Sequence, residues 1–214
     1  HPAHRHFRRR TIRHQMNWAL LTVELTLCGW TLLMMAADLI VPAANRNRLW
    51  WLALAGIGVC ACLLLGTQPA LIGQTFGRIW VVDRFSLYFK GLFLLTTAVV
   101  IVMTRDFQRH LPTNLGAFYM LLFTALLGMF VLSSLNDLLM LFIGLELLTF
   151  SLYIMTAYLK TDRRSLEAGM KYLILGSVSG GFLVYGISLL YGFAGGTSFE
   201  ALRSALATQP LPLG

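Results

Sequence analysis

Acidic residues are scarce in this chain: nine Asp and Glu among 214 positions, with charged residues of both signs making up only 12%. So thin a charge excludes the water-facing coat of an ordinary soluble domain. With 57% hydrophobic residues and a mean hydropathy of +0.70, one core of this length cannot hide the apolar surface, and lipid has to take the rest. Cysteine is scarce too. Cys28, Cys60 and Cys62 all lie inside apolar runs, and none of their separations has zinc or redox spacing. Cys60 and Cys62 point about 200° apart on a helix, so all three read as small packing residues. Phosphate-cradling glycine loops, dinucleotide fingerprints and haem or iron–sulfur ligand spacings are missing. No cofactor or metal site is therefore expected on this chain, and any redox chemistry is expected elsewhere.

What is present is a series of six apolar runs, at about 17–41, 49–66, 85–104, 115–135, 137–159 and 166–193. A hydrocarbon layer of roughly 30 Å needs about 20 helical residues, and the runs are continuous rather than alternating, which disfavours barrel strands. Pro42 closes the first run, and Trp50 and Trp51 open the second as an interfacial pair. The prediction is an all-α, polytopic transmembrane bundle of about six helices. A basic arm occupies 1–16, the first three helices 17–114, helices four to six 115–197, and a surface tail 198–214. Only Ser133, Ser134, Asn136 and Asp137 separate the fourth and fifth runs, which requires a tight antiparallel hairpin. In the tail, Ser198 is placed to cap a short amphipathic surface helix through Arg203 and Leu206, which Pro210 and Pro212 then stop.

The net charge of +8 sits at the ends of these runs and in Arg5, Arg8, Arg9, Arg10 and Arg13. Basic residues there meet anionic phospholipid such as cardiolipin, so no nucleic-acid partner is needed to explain them. Arg46, Arg48, Arg105, Arg109, Lys160, Arg163 and Arg164 fall on one face, against Arg78, Arg84 and Lys90 on the other. This bias puts the loop between helices five and six in the cytoplasm or matrix, with both termini outside. The acid-free, Arg-rich opening reads either as the remnant of an organellar transit peptide or as a juxtamembrane arm.

Within a membrane the informative residues are ionisable ones. Glu146, near the middle of the fifth helix, would cost roughly 2.5–3.5 kcal/mol or more if unpaired. It is either a proton-pathway carboxylate whose charge depends on a movable partner, or a neutral Glu that hydrogen-bonds a neighbouring helix. Glu167 and Lys171, four residues apart near the start of the sixth helix, form either part of that pathway or a snorkelling surface salt bridge. Glu24, two turns into the first helix, admits both readings. Asp38 and Lys90 lie near helix ends, where solvated anchors are the default. Gly176, Ser177, Ser179, Gly180 and Gly181 would let a neighbouring helix approach closely.

The stretch FYMLLFTALLGMFVLSSLNDLLMLFIGLELLTFSLYIMTAYLKTDRRSLEAGMKYLILGSVSGGFLVYGISLLYGFAGGTSFEAL, at about 118–202, resembles the antiporter-like membrane subunit of respiratory complex I. That subunit is called subunit N in bacteria and NADH dehydrogenase subunit 2 in mitochondria. DRFSLYFKGLFLL resembles the family's third helix, and Glu24 and Asp38 sit where its first helix is acidic, although Val23 replaces the usual proline. The resemblance implies a proton-translocating subunit of an NADH:ubiquinone oxidoreductase. Glu146 then matches the essential fifth-helix glutamate, whose lysine partner is on the seventh helix, and Glu167 and Lys171 match sixth-helix positions near the channel. The family fold has about fourteen helices in inverted repeats. A chain ending after the sixth is therefore expected to be split or truncated and completed by a companion chain among the other membrane-arm subunits. NADH, FMN, iron–sulfur clusters and quinone would belong to the complex as a whole. A mitochondrial inner membrane is expected ahead of a bacterial plasma membrane. A non-conducting assembly piece and a Mrp-type antiporter subunit are the alternatives.

Overall fold

The computed structural model describes residues 18–41, 47–66, 73–75, 79–107 and 115–208. The basic arm at 1–16, with Pro42, Arg46, Arg78, Arg109, Pro210 and Pro212, lies outside the described residues. A 3-10 turn, Trp18–Leu21, leads into α1, Thr22–Ile40. Then come α2, Asn47–Gly66; α3, Arg84–Phe107; α4, Leu115–Ser134; α5, Leu138–Thr156; α6, Arg163–Ala194; and α7, Phe199–Thr208. Among the described residues, six helices are long and apolar enough to cross a membrane. The chain is a multi-pass membrane protein.

The axis of the bundle is α4. Its membrane-length stretch is 56% buried, against 6% for α6, because α4 has partners on two sides. Tyr119, Phe123, Leu126 and Phe130 are each fully buried and recur at four- and three-residue spacing, one helix face. That face packs with Leu27 and Met34 of α1, Trp50, Ala53 and Cys60 of α2, and Leu94 and Ile101 of α3. The other side crosses α5 at two glycines: a Cβ at Gly128 would stand 2.7 Å from the Leu148 backbone nitrogen and 2.9 Å from the Gly144 carbonyl oxygen. Helices approach this closely only where side chains are missing, which is how membrane helices gain contact when lipid supplies no hydrophobic drive. Of the cysteines, Cys60 is buried and Cys28 and Cys62 face outward.

The structure has the expected all-α bundle of six spanning helices, adds one small element to it and corrects two details. A two-stranded antiparallel ladder, β1 (Gly73–Thr75) on β2 (Trp80–Val82), lies between α2 and α3, pairing Gly73 with Val82 and Thr75 with Trp80. The ladder is a small addition to the all-α bundle. Trp50 does not face outward from the bundle: it is buried, donates its indole N–H to the Ile101 carbonyl at 2.9 Å, and carries the Arg105 guanidinium over its ring at 4.8 Å. Of the two, Trp51 is the exposed one. And α6 begins three residues earlier than its apolar run, capped by Asp162, whose carboxylate accepts from the Arg164 N–H at 3.0 Å. Its 32 residues span about 48 Å, well beyond the hydrocarbon thickness, so both ends project into polar surroundings.

The tight turn between α4 and α5 is a junction. Asp137 caps α5 by accepting from the Leu139 N–H, and its second oxygen accepts from the Thr197 hydroxyl at 2.6 Å. The Asn136 N–H donates to the Ile79 carbonyl at 2.8 Å, and the Leu138 N–H to the Thr197 carbonyl at 2.9 Å. The turn thus joins the ladder before α3 to the corner after α6, where Gly195 adopts φ +68°, the left-handed stop that glycine tolerates. Beyond it Ser198 accepts from the Ala201 N–H and starts α7, which buries Ala205.

Candidate functional site

Glu146 is the ninth of the 19 residues of α5, which puts it in mid-span. Covered positions along α6 include Gly169, Leu173, Gly176, Gly180, Leu183 and Ile187, a helical seam whose glycines Gly169, Gly176 and Gly180 meet the α5 side. Each glycine receives something specific. Gly169 meets Ala157, Gly176 meets the Tyr153 hydroxyl, and Gly180 meets the Glu146 carboxylate, whose Oε1 would lie 2.7 Å from a Cβ there. Ser177 and Ser179, expected among the close-packing residues, are exposed, and Gly181 has nothing within 4 Å. Tyr153 is held in place by an edge-on contact with Tyr172, centroids 4.7 Å apart. Glu146 itself is half-buried, and its carboxylate has no ion pair among the described residues.

Glu167 and Lys171 are brought together on α6, Nζ to Oε1 2.5 Å, but both are largely exposed, with 64% and 70% of their side chains open. The structure does not bring them to Glu146. Gly180, which marks its level, is nine residues past Lys171, about 14 Å along the helix axis. A cleft of about 570 Å³ lies between α4, α5 and α6, lined by Met120, Phe150, Tyr153, Met170 and Leu173, with Lys160 its single charged residue.

The anchor readings of Lys90 and Asp38 are corrected. Lys90 is 2% exposed and pairs with Glu24, also buried, at 2.5 Å. Its ammonium stands 5.5 Å from the Trp80 ring centroid and 5.8 Å from that of Phe130, so two aromatic faces take part in neutralising it. The sequence carries the spacing of the stripe, and packing gives it an inside. Ser86, Lys90, Leu94, Thr97, Ile101 and Thr104 recur at helical spacing and are all buried, so Lys90 lies on the inward stripe of α3 however near the helix end it sits. Asp38 is partly buried and accepts from the Gly116 N–H at 3.0 Å. It caps the first turn of α4 from another helix, satisfying a donor that the helix cannot pair itself.

The arrangement therefore contains two kinds of ionisable group. Glu24 and Lys90 pair with each other in a buried site. Glu146 sits at a helix crossing with room for its carboxylate and no counter-charge beside it among the described residues.

Comparison with known proteins adds three findings. The family model described as NADH:quinone oxidoreductase/Mrp antiporter, transmembrane, matches residues 135–211. Two NADH-quinone oxidoreductase subunits N are 37% identical to the chain: that of Heliobacterium modesticaldum over 197 residues, 91% of this chain and 41% of the relative, and that of Moorella thermoacetica over 193 residues, 90% and 40%. The chain thus spans about two-fifths of the length of these relatives. A chain of respiratory complex I from Thermus thermophilus with bound aureothin superposes with a TM-score of 0.65 at 27% identity, covering 86% of this chain and 41% of that one. A chain of an archaeal membrane-bound sulfane sulfur reductase superposes with a TM-score of 0.73 at 18% identity, over 87% and 39%, a likeness of fold alone.

Proposed function

We propose that this chain, which belongs to the antiporter-like membrane subunits of NADH:quinone oxidoreductase, carries part of the proton path of such an enzyme. The observation that carries the reading is Glu146: a mid-span carboxylate, half-buried at the α5–α6 seam, without an ion pair among the described residues. In this reading a cationic side chain from another helix of the assembly approaches Glu146, and its approach and withdrawal decide whether the carboxylate holds a proton. Quinone reduction elsewhere biases that pair through conformation and charge. Glu167 and Lys171, paired on the open side of α6, supply a further protonatable pair on the same helix, nearer the basic surface.

The partners that follow are the other membrane-arm subunits, a chain or segment bringing the cation to Glu146, and anionic phospholipid such as cardiolipin along the basic end, where Arg105, Lys160, Arg163 and Arg164 lie. The electron carriers NADH, FMN, iron–sulfur clusters and quinone are assigned to the rest of the enzyme. The bacterial relatives favour a plasma membrane over the mitochondrial inner membrane expected from the sequence, and fractionation of the source cells decides between them.

The test is Glu146→Gln in the intact assembly. Assembly and the level of the chain are expected to be normal, while protons moved per NADH oxidised fall sharply. Normal pumping by an assembled Gln variant would overturn the assignment and leave the non-conducting assembly role.

A further inference from the structure

Buried polar atoms without a hydrogen-bond donor or acceptor beside them gather at one place in the bundle. Among the described residues they are the two carboxylate oxygens of Glu24, Trp80 Nε1 and Ser134 Oγ. Glu24 Oε1 has the Lys90 ammonium at 2.5 Å as its ionic partner, and Oε2 has none. The four residues converge. Lys90 faces the rings of Trp80 and Phe130; Phe130 is one turn before Ser134 on α4; and Trp80 bridges by its backbone to Leu135, next to Ser134. α1, α3, α4 and β2 thus each bring one polar or charged group to the same region of the bundle.

An indole N–H, a hydroxyl and a carboxylate oxygen left unpaired in a buried site each keep an uncompensated desolvation cost. A buried ion pair is itself sustained only when further hydrogen bonds satisfy its remaining valences. A polar pocket with several such atoms is where ordered water is held, each molecule making about three hydrogen bonds. We propose that Glu24, Lys90, Trp80 and Ser134 form a buried water-binding site on the ladder side of the bundle, at which the ion pair exchanges a proton with bound water.

The exchange is a proton transfer with no other reactant. An N–H bond of the Lys90 ammonium breaks, an O–H bond forms on Glu24 directly or through the water, and two charges become none; the return step reverses it. For a buried pair the attraction between the charges is opposed by their desolvation, and hydrogen bonds from bound water bear on both. The groups that bear on the balance are few. Glu24 comes from α1, Lys90 from α3 and the buried thiol of Cys60 from α2, within electrostatic reach of Glu24; the α4 and β2 contributions, Phe130, Ser134 and Trp80, are uncharged. Lys90, the seventh residue of α3, lies about 9 Å along the helix from its ladder end, a short path for water.

The test uses the native membrane assembly. A cryo-EM map that resolves waters is expected to show density within hydrogen-bonding distance of Ser134 Oγ and Trp80 Nε1. Infrared difference spectra across a pH jump are expected to show a deuterium-sensitive carboxyl C=O band that Glu24→Gln abolishes. Should that variant fail to assemble, Ser134→Ala, which keeps the ion pair, is expected to displace the band. A dry site, a band that persists in Glu24→Gln, or one unmoved in Ser134→Ala overturns the proposal. Neither readout depends on Glu146, so the site stands or falls separately from the pumping assignment.

Discussion

Glu146 of α5 lies against Gly180 of α6 so closely that a Cβ on the glycine would stand 2.7 Å from Oε1. The contact is with the free end of a side chain and not with backbone, so it is soft mechanically and sharp chemically. Filling it moves the carboxylate without forcing the helices apart.

For that reason Gly180→Ala is predicted to leave the chain assembled while lowering proton pumping several-fold, measured as protons moved per NADH oxidised. Gly181→Ala, next along the helix with nothing within 4 Å, is the control and should pump normally. Equal activity in the two variants would show that the position of the Glu146 carboxylate does not matter.

Gly128 is the opposite case. Its missing Cβ would meet the backbone of Leu148 and Gly144, which cannot swing aside. Gly128→Ala is predicted to destabilise the α4–α5 crossing by about 1–3 kcal/mol. The readout is the temperature at which the chain is lost from the purified assembly. Gly58→Ala, on an open side of α2, should stay within about 0.5 kcal/mol of the parent.

The Glu24–Lys90 pair should behave as a coupled unit. Replacing either residue alone with an apolar one leaves the other charge buried and unpaired, at a cost of about 3–5 kcal/mol. Replacing both, as Glu24→Leu with Lys90→Leu, is expected to recover much of that loss. A thermal double-mutant cycle measures it, and additive losses would show that the two groups do not interact.

Asp137 both caps α5 and holds Thr197. Asp137→Ala is expected to cost about 1–2 kcal/mol in cap stability and to raise the rate of proteolytic cutting at the turn and at the α6–α7 corner together. Asp137→Asn, which keeps the accepting oxygen of the cap, should lose far less.

Much of the architecture can be read from run length alone. Six apolar stretches predict six spans to within a few residues, because the bilayer imposes the length. The ladder escapes because three-residue strands fall below the run of four or more that alternation needs to be visible. Lys90 shows a different limit. Its distance from the helix end suggests snorkelling, but the stripe through Ser86, Leu94, Thr97 and Ile101 decides its direction, and that stripe acquires an inside only once α1 and α4 are packed against it. The mid-span depth of Glu146 is likewise legible, whereas its contact with Gly180 is not, since the rotation of α6 about its axis is set by which of its many small residues the α5 side chains fill.

The junction at Leu135–Asp137 has a mechanical consequence. It ties the ladder ahead of α3, the start of α5 and the corner between α6 and α7 by backbone and side-chain bonds. At the other end of the bundle bonds between elements reach across in pairs: Asp38 to Gly116, the Trp50 indole to the Ile101 carbonyl at 2.9 Å, and the Ser165 hydroxyl to the Thr156 carbonyl at 2.7 Å. One end is a plate and the other a set of separate latches. A rocking motion of α5 or α6 then pivots about the plate and has its greatest amplitude at the basic surface, so that a push on the loop between them is converted into tilt at the level of Glu146.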